Sequence, residues 1–314
     1  MTETPPSFPL PRECPFAPPA RYAELRDKQP ASQVTIPTGK HPWVITRYAD
    51  VRSLLADPRV SSDIRHPNFP AMGAGEQEAG AKARPFIRTD PPDHTRHRRM
   101  LQAEFTLKRV RDMRPAIQAA ADRLIDEMIA AGPSADLVSA YANAISTTTV
   151  LKLFGAPTDD LGFFRDVTRV SGGRGSSAEE VGAALSSMFR VLDELITARE
   201  REPGDDLLSK LVINHLRLGA VTRQELLSTV GITIVAGRET TTSMIALGTL
   251  MLLEHPDRLD ELRTDPTLMP PAVEELLRVL SVADSIPLRV ASEDIDVGDT
   301  RIPAGDGIIA LLAA

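Results

Sequence analysis

The segment from Thr222 to Glu254 constrains this chain most, because it is helical in pattern, long, and polar at its centre. LLSTVGITIV (226–235) leads in, IALGTLMLL (245–253) leads out, and AGRETTTSM (236–244) lies between them. Thr222 and Glu225, within T-R-Q-E, form a capping-box pattern that opens a helix, and Pro256 marks its far limit. Two readings fit the polar centre. It is a loop joining two short helices, or it is one helix that passes a reaction centre and is polar there. A membrane span is excluded. Each apolar half falls well short of the roughly 20 residues a bilayer requires, and Arg238 and Glu239 stand at the midpoint.

Composition narrows the classes around that segment. A chain of 314 residues can bury a large core, and 42% hydrophobic with 25% charged residues is ordinary for a globular protein. Aromatics make up only 4%, so the core is built from Leu, Val, Ile, Ala and Met. A net charge of −7 argues against nucleic acid as the main partner. The single cysteine, Cys14, excludes an intramolecular disulfide framework and a multi-thiolate metal site, and suits a reducing cytoplasm. The first 19 residues form a proline-rich arm without the apolar run of a signal peptide or membrane anchor.

Elsewhere the pattern is mainly α with small β regions, an α+β class. A short helix is expected over 20–29, then two β-like runs within 34–48, then a helix capped by Asp50 and ended by Pro58. Residues 61–89 are rich in Gly, Ala and Pro and read as a long loop. Helical periods follow over 107–131, 136–154, about 158–170 and 178–201, the last two separated by SGGRGSS (171–177). A short one covers 205–216. After the central segment come PDRLDELRTD, PPAVEELLRVLS and an alternating, turn-rich β ending. That ending closes on GIIALLAA, a core-like apolar run, from which the chain is expected to stop inside a domain.

Four constellations could carry chemistry. In the central segment, Gly237 costs a helix about 1 kcal/mol relative to alanine, and its missing Cβ would let a ligand approach the backbone. Thr240 beside Glu239 offers a hydroxyl and an ionisable group for moving protons. A solvated kink fits the same residues, whereas a phosphate loop does not, because Arg238 stands where lysine is required. Glu275 and Arg278 lie one turn apart, either as an idle surface pair or as a clamp on a helix enclosed through Val273, Leu276, Leu277 and Leu280. In DPPDHTRHRRML (90–101), His94 and Arg98 are four apart on one helical face and suit a carboxylate- or phosphate-bearing ligand, or simply form a basic helix end. Arg289, in IPLRVASED, points either inward to an anion or outward to water.

Together, in this order, these motifs resemble the cytochrome P450 superfamily of haem-thiolate monooxygenases, of the soluble bacterial type. AGRETT resembles its oxygen-activating signature, Glu275-x-x-Arg278 its Glu-x-x-Arg helix, His94-x-x-x-Arg98 its propionate-binding pair, and Arg289 a further propionate partner. The resemblance covers all 314 residues as a single domain, incomplete at the C-terminus. It implies haem b, O2, a small apolar organic substrate and a ferredoxin-type electron donor. Ala236 and Gly237 would lie against the haem, with Glu239 and Thr240 handling protons. The basic face of Arg96, Arg99, Lys108 and Arg109 would receive the donor, and loops 61–89 and 171–177 would form the substrate mouth. The family's Phe-x-x-Gly-x-His-x-Cys-x-Gly loop is absent, so the axial cysteine is expected beyond Ala314 and no residue of this chain is assigned to the iron. A nitric-oxide-reducing relative is the nearest alternative, which Glu239 argues against. A truncated, non-catalytic remnant is another, and by this reading the 314-residue chain alone is inactive.

Overall fold

The computed structural model describes residues 5–157, 161–171 and 176–314. In chain order the regular elements are α1 (Arg21–Lys28), β1 (Ala31–Gln33), β2 (Trp43–Ile45), α2 (Tyr48–Ala56), β3 (Val60–Ser61), α3 (Ala74–Ala83), α4 (Asp93–Gln102), α5 (Leu107–Ala131), α6 (Asn143–Leu153), α7 (Leu161–Ser171), α8 (Ala178–Arg201), α9 (Leu207–Leu211), α10 (Arg223–Glu254), α11 (Pro256–Thr264), α12 (Met269–Leu280), β4 (Leu288–Ala291), β5 (Ile295–Val297), β6 (Thr300–Ile302) and β7 (Gly307–Ala310). Wide π turns at Val138–Ala142 and Val212–Leu216 adjoin α6 and α9. The backbone divides into two compact units, one of residues 1–77 with 244–314 and one of residues 78–243. Among the described residues no helix is long and apolar enough to cross a membrane.

The first unit is organised by a five-stranded sheet of order β1-β2-β7-β4-β3, with β5 and β6 forming a separate hairpin. Strand β7, the core-like run near the chain end, is central: parallel to β2 and antiparallel to β4. Alternation sends Val44, Val290 and Ile309 into one apolar cluster with Phe8, Tyr22 and Phe69, and Ile45, Ile308 and Ala310 into another with Leu54 and Ile302. The proline-rich arm joins this unit. Arg12 donates to the carbonyls of Leu280 and Ser281 at the end of α12, where Ser281 takes a left-handed conformation (φ 42°). The Tyr22 hydroxyl donates to Asp284 at 2.8 Å.

Residues 61–77 are more ordered than their composition predicts. Lys40 Nζ donates to the carbonyls of Pro67 (2.6 Å) and Phe69 (2.9 Å) and to Gln77 Oε1 (2.7 Å). Gln77 in turn donates to the carbonyls of Ile64 and His66. Within the expected loop 61–89 lie α3 and a 3-10 turn at Phe86–Arg88. The sequence AGEQEAGAKA is rich in good helix formers but has no apolar stripe, so periodicity could not reveal it. The other differences are local. Asp50 lies inside the first turn of α2, whose cap position is Arg47. Of the two β-like runs in 34–48 the second is the strand β2, while the first carries on from β1 into the turn at Gly39 (φ 78°), with the Val34 N–H donating to the Pro42 carbonyl (3.0 Å) and the Ile36 N–H to the Lys40 carbonyl (3.1 Å).

The second unit packs α6, α8, α9 and α10 around Leu151, Phe154, Leu192, Ile196, Leu208, Leu211, Leu226, Val230 and Ile234. Each fully buried leucine or isoleucine there contributes about 1.5–3 kcal/mol. The expected helices 107–131 and 178–201 appear with those bounds. Helix α8 starts on a capping box of Ser177 with Glu180. Of the expected substrate mouth at 171–177, residues 172–175 lie outside the described residues, as do 158–160 at the start of the expected third helix.

Candidate active site

The polar centre is helix, not loop. Helix α10 runs unbroken for 32 residues. Its start is the capping box expected from Thr222 and Glu225: the Thr222 N–H donates to Glu225 Oε2 (2.7 Å), and the Glu225 N–H donates to Thr222 Oγ1 (3.2 Å). Further along, Gly231 lets α8 come close, since a Cβ there would lie 2.9 Å from Met188 Cε and 3.2 Å from a Phe189 ring carbon. At Gly237 the absent Cβ points at Val150 of α6, 3.3 Å from its Cγ2. Close approach of α6 is therefore one physical reason for that glycine, which ligand approach alone did not anticipate.

Three successive threonines bond back one turn. Thr240 Oγ1 donates to the Ala236 carbonyl (2.8 Å), Thr241 Oγ1 to Gly237 (2.9 Å), and Thr242 Oγ1 to Arg238 (3.0 Å). These bonds loosen a helix slightly without ending it. The segment also has two sides. Arg238 and Thr242 are buried, while Ala236, Gly237, Glu239 and Thr241 are exposed. Among the described residues no packed leucine covers Ala236 or Gly237. On the buried side, Arg238 donates to Asn143 Oδ1 and to Glu239 Oε2, both at 2.5 Å. Thr242 Oγ1 lies 2.6 Å from Ser146 Oγ, which itself donates to the Ala142 carbonyl. This polar seam between α10 and α6 was not legible in the sequence, because Asn143 and Ser146 stand about a hundred positions away.

Helix α4 carries His94 and Arg98 four residues apart, as expected. The His94 ring stacks on Phe86 (centroids 6.1 Å apart, planes at 26°) and is half-buried, whereas Arg98 is exposed. The helix is tied to the start of α10 through Arg96. Its guanidinium meets Glu225 Oε1 (2.5 Å), the Ala220 carbonyl (2.8 Å) and Asp93 Oδ1 (3.4 Å). Burial pushes the Glu225 carboxyl pKa up, but the bonds from Arg96 and Thr222 outweigh it and bring the value down to about 2. His97, buried on the same helix, holds Nε2 3.5 Å from Glu225 Oε1 without hydrogen-bond geometry, and burial lowers its pKa.

The expected basic face is therefore partly spent within the chain. Arg96 serves α10, Lys108 pairs with Asp112 (2.8 Å), and Arg109 lies 3.4 Å from Glu104. Arg99 remains exposed. Arg289 belongs to the first unit, on β4, half-buried, with Nη1 donating to the Leu288 carbonyl (2.9 Å). The Glu275–Arg278 pair forms with two bonds of 2.6 and 2.7 Å. The two side chains are 59% and 71% exposed, and Val273 and Leu277 on the same helix are exposed too, because no described residue covers that face. Cys14 is exposed. Among the described residues no group of three or more His, Cys, Asp or Glu could hold a metal ion.

Comparison with known proteins gives this geometry a context. The family model for cytochrome P450 matches residues 174–314. The chain is 44% identical over 305 residues to cytochrome P450 105A3 of Streptomyces carbophilus, covering 97% of this chain and 74% of that protein. It is 41% identical over 310 residues to the vitamin D3 dihydroxylase of Streptomyces griseolus, covering 98% of this chain and 76% of the relative. Among solved structures, CYP105N1 from Streptomyces coelicolor A3(2) superposes with a TM-score of 0.89 at 63% identity, covering 98% of this chain and 77% of the other. These relatives are P450 monooxygenases, and the family uses O2, an organic substrate and a redox partner. By sequence and by fold, the chain belongs to the cytochrome P450 family of haem-thiolate proteins, whose cofactor is haem b.

Proposed function

We propose that this chain binds haem b against the face of α10 formed by Ala236, Gly237 and Thr240, as part of a monooxygenase for a small apolar organic substrate. The observation that carries the reading is the open face itself. Small residues at 236 and 237 stay exposed at the middle of a 32-residue helix, where a flat ring could lie against them. His94 and Arg98, four apart on α4, supply cationic or hydrogen-bonding groups for a propionate, so the chemistry of this donor pair fits the group. The iron ligand is a different matter. The only cysteine is exposed Cys14, which is not assigned to the metal.

Bound haem supplies the redox-active iron at which O2 is activated. The chain's own residues would do the rest. Thr240 spends its hydroxyl proton on the Ala236 carbonyl, so its oxygen presents lone pairs and accepts a hydrogen bond from a proton-bearing oxygen. Glu239, exposed on the same turn, exchanges protons with water. An acid at this position favours oxygen activation over nitric oxide reduction. A ferredoxin-type donor would meet the exposed Arg99 and the neighbouring Lys108 and Arg109, with Arg96 removed from the expected dock because it serves Glu225. A second reading, a remnant inactive by itself, draws on the lack of any cysteine other than Cys14.

The test is a haemin titration of the chain followed in the Soret band, with Arg98→Ala and His94→Phe beside it. Saturable one-to-one binding is expected, weakened roughly tenfold or more in each variant, the scale of losing one charge-assisted contact of about 1.5–3 kcal/mol. Binding that ignores both variants would overturn the propionate assignment. No binding at all would leave the remnant reading.

A further inference from the structure

We propose that Arg238 is a positioning residue: its buried guanidinium holds Oε2 of Glu239 and leaves Oε1 as the oxygen that exchanges protons. This deepens the reading of Glu239 given above and rests on it. Consecutive residues on a helix point about 100° apart, and these two diverge as that predicts. The Arg238 side chain is 4% exposed and that of Glu239 59% exposed. They meet only because the long arginine folds back, its Nη2 reaching Glu239 Oε2 at 2.5 Å while Nη1 reaches Asn143 Oδ1 at 2.5 Å.

The anchoring end is firmly built. Asn143 opens α6 directly after the π turn at 138–142, where the Ala142 carbonyl accepts from Ser146 Oγ (2.9 Å). Thr242 in turn donates to the Arg238 carbonyl (3.0 Å). Arg238 is thus fixed at its backbone by Thr242 and at its tip by Asn143, and its fork cannot swing with the solvent. A buried guanidinium is costly unless it is paired, so this position makes physical sense when the cation has a carboxylate to hold. The fork also selects between two chemically equal oxygens. Oε2 is bonded to a group that cannot give up its proton under any working condition. No described residue bonds Oε1. A carboxylate free on a surface helix samples several rotamers, whereas this one is held in a single orientation on the turn that carries Thr240.

The test reads Glu239 directly in the 314-residue chain. Water-soluble carbodiimide with glycinamide converts accessible carboxyl groups to amides, and the extent at each glutamate is read by peptide mass spectrometry. A carboxylate whose charge is shared with a guanidinium attacks the carbodiimide more slowly through either oxygen. In Arg238→Met, modification of Glu239 should rise at least threefold at pH 6, and Arg238→Lys should restore much of the protection. Glu254, exposed on the same helix, should not change in either variant. Equal Glu239 labelling in wild type and Arg238→Met overturns the proposal, as does a rise at Glu254 of the same size, which would mean general loosening of α10. Asn143→Ala, which frees only one end of the fork, is the milder variant should Arg238→Met not fold, and an intermediate rise is expected there. The role of Glu239 itself is tested separately. In haem-loaded protein, Glu239→Gln should alter the solvent isotope effect on oxygen consumption; no change there would sink the catalytic reading and leave the pinning intact.

Discussion

Replacing Glu225 by glutamine should lower stability by an amount that depends on pH in a defined way. The carboxyl titrates near 4.5 in an unfolded chain and at about 2 here, which sets a ceiling of about 3.4 kcal/mol on its ionic contribution. The side chain is 31% exposed, so water screens the pair with Arg96 and about 2 kcal/mol is the expected loss at pH 7. The folded pKa is depressed. The contribution is therefore fully present above 4.5 and disappears as the pH falls through 2. Between these limits linkage leaves about two-fifths of it at pH 3, or roughly 0.8 kcal/mol. Differential scanning calorimetry of wild type and Glu225→Gln at pH 7, 4.5 and 3 measures this directly, with a gap in Tm on the order of 4 °C at pH 7 that narrows toward acid. Arg96→Met should lose a similar amount with the same pH dependence. A gap that stays constant from pH 7 to pH 3 would refute the ion-pair argument and leave Glu225 as a neutral cap. No gap at pH 7 would refute both.

Three further perturbations probe other parts of the fold. At Gly155 (φ 64°) an added Cβ would sit 2.4 Å from Asp206 Oδ2 and 2.8 Å from Arg199 Nη2, so Gly155→Ala should break the 2.8 Å Arg199–Asp206 bridge. With left-handed strain included, at least about 2 kcal/mol should be lost in urea unfolding. Lys40→Met removes three of the bonds that fix the chain at 67–77, and hydrogen exchange should accelerate at residues 64–69 while the amides of β7 keep their protection. Leu192→Ala, at a position 1% exposed in the core of the second unit, should cost about 2–5 kcal/mol in the same urea assay.

What the sequence revealed and what it hid follow from how far each interaction reaches along the chain. Helices α5 and α8 were legible to the residue because an apolar stripe repeats within them. The capping box of Thr222 and Glu225 was legible because its bonds span three positions. Helix α3 was missed because it has helix formers but no stripe. The partnership of Arg96 with Glu225 spans 129 positions, and without it Arg96 reads as one more surface cation. The Glu275–Arg278 pair was legible because its members stand three positions apart, whereas spacing says nothing of what covers them.

The polar centre of α10 joins both kinds of information. Its residue types announce a departure from a plain apolar helix, but not that the departure is split between two faces. One helical turn separates Arg238 from Thr242, and both turn toward α6, where Asn143 and Ser146 meet them. Ala236, Glu239 and Thr241 stand on the remaining arc and stay exposed, with Gly237, whose missing Cβ leaves room for Val150 of α6, at its edge. Hydroxyl groups that could have ended the helix instead bond back to carbonyls already in the ladder, so continuity and polarity coexist. The buried half thereby holds the exposed half still. An exposed acid on a floppy loop would have had the same residues and none of that constraint, which is why the unbroken helix, more than the motif it carries, is the physical basis for the roles proposed for Glu239 and Thr240.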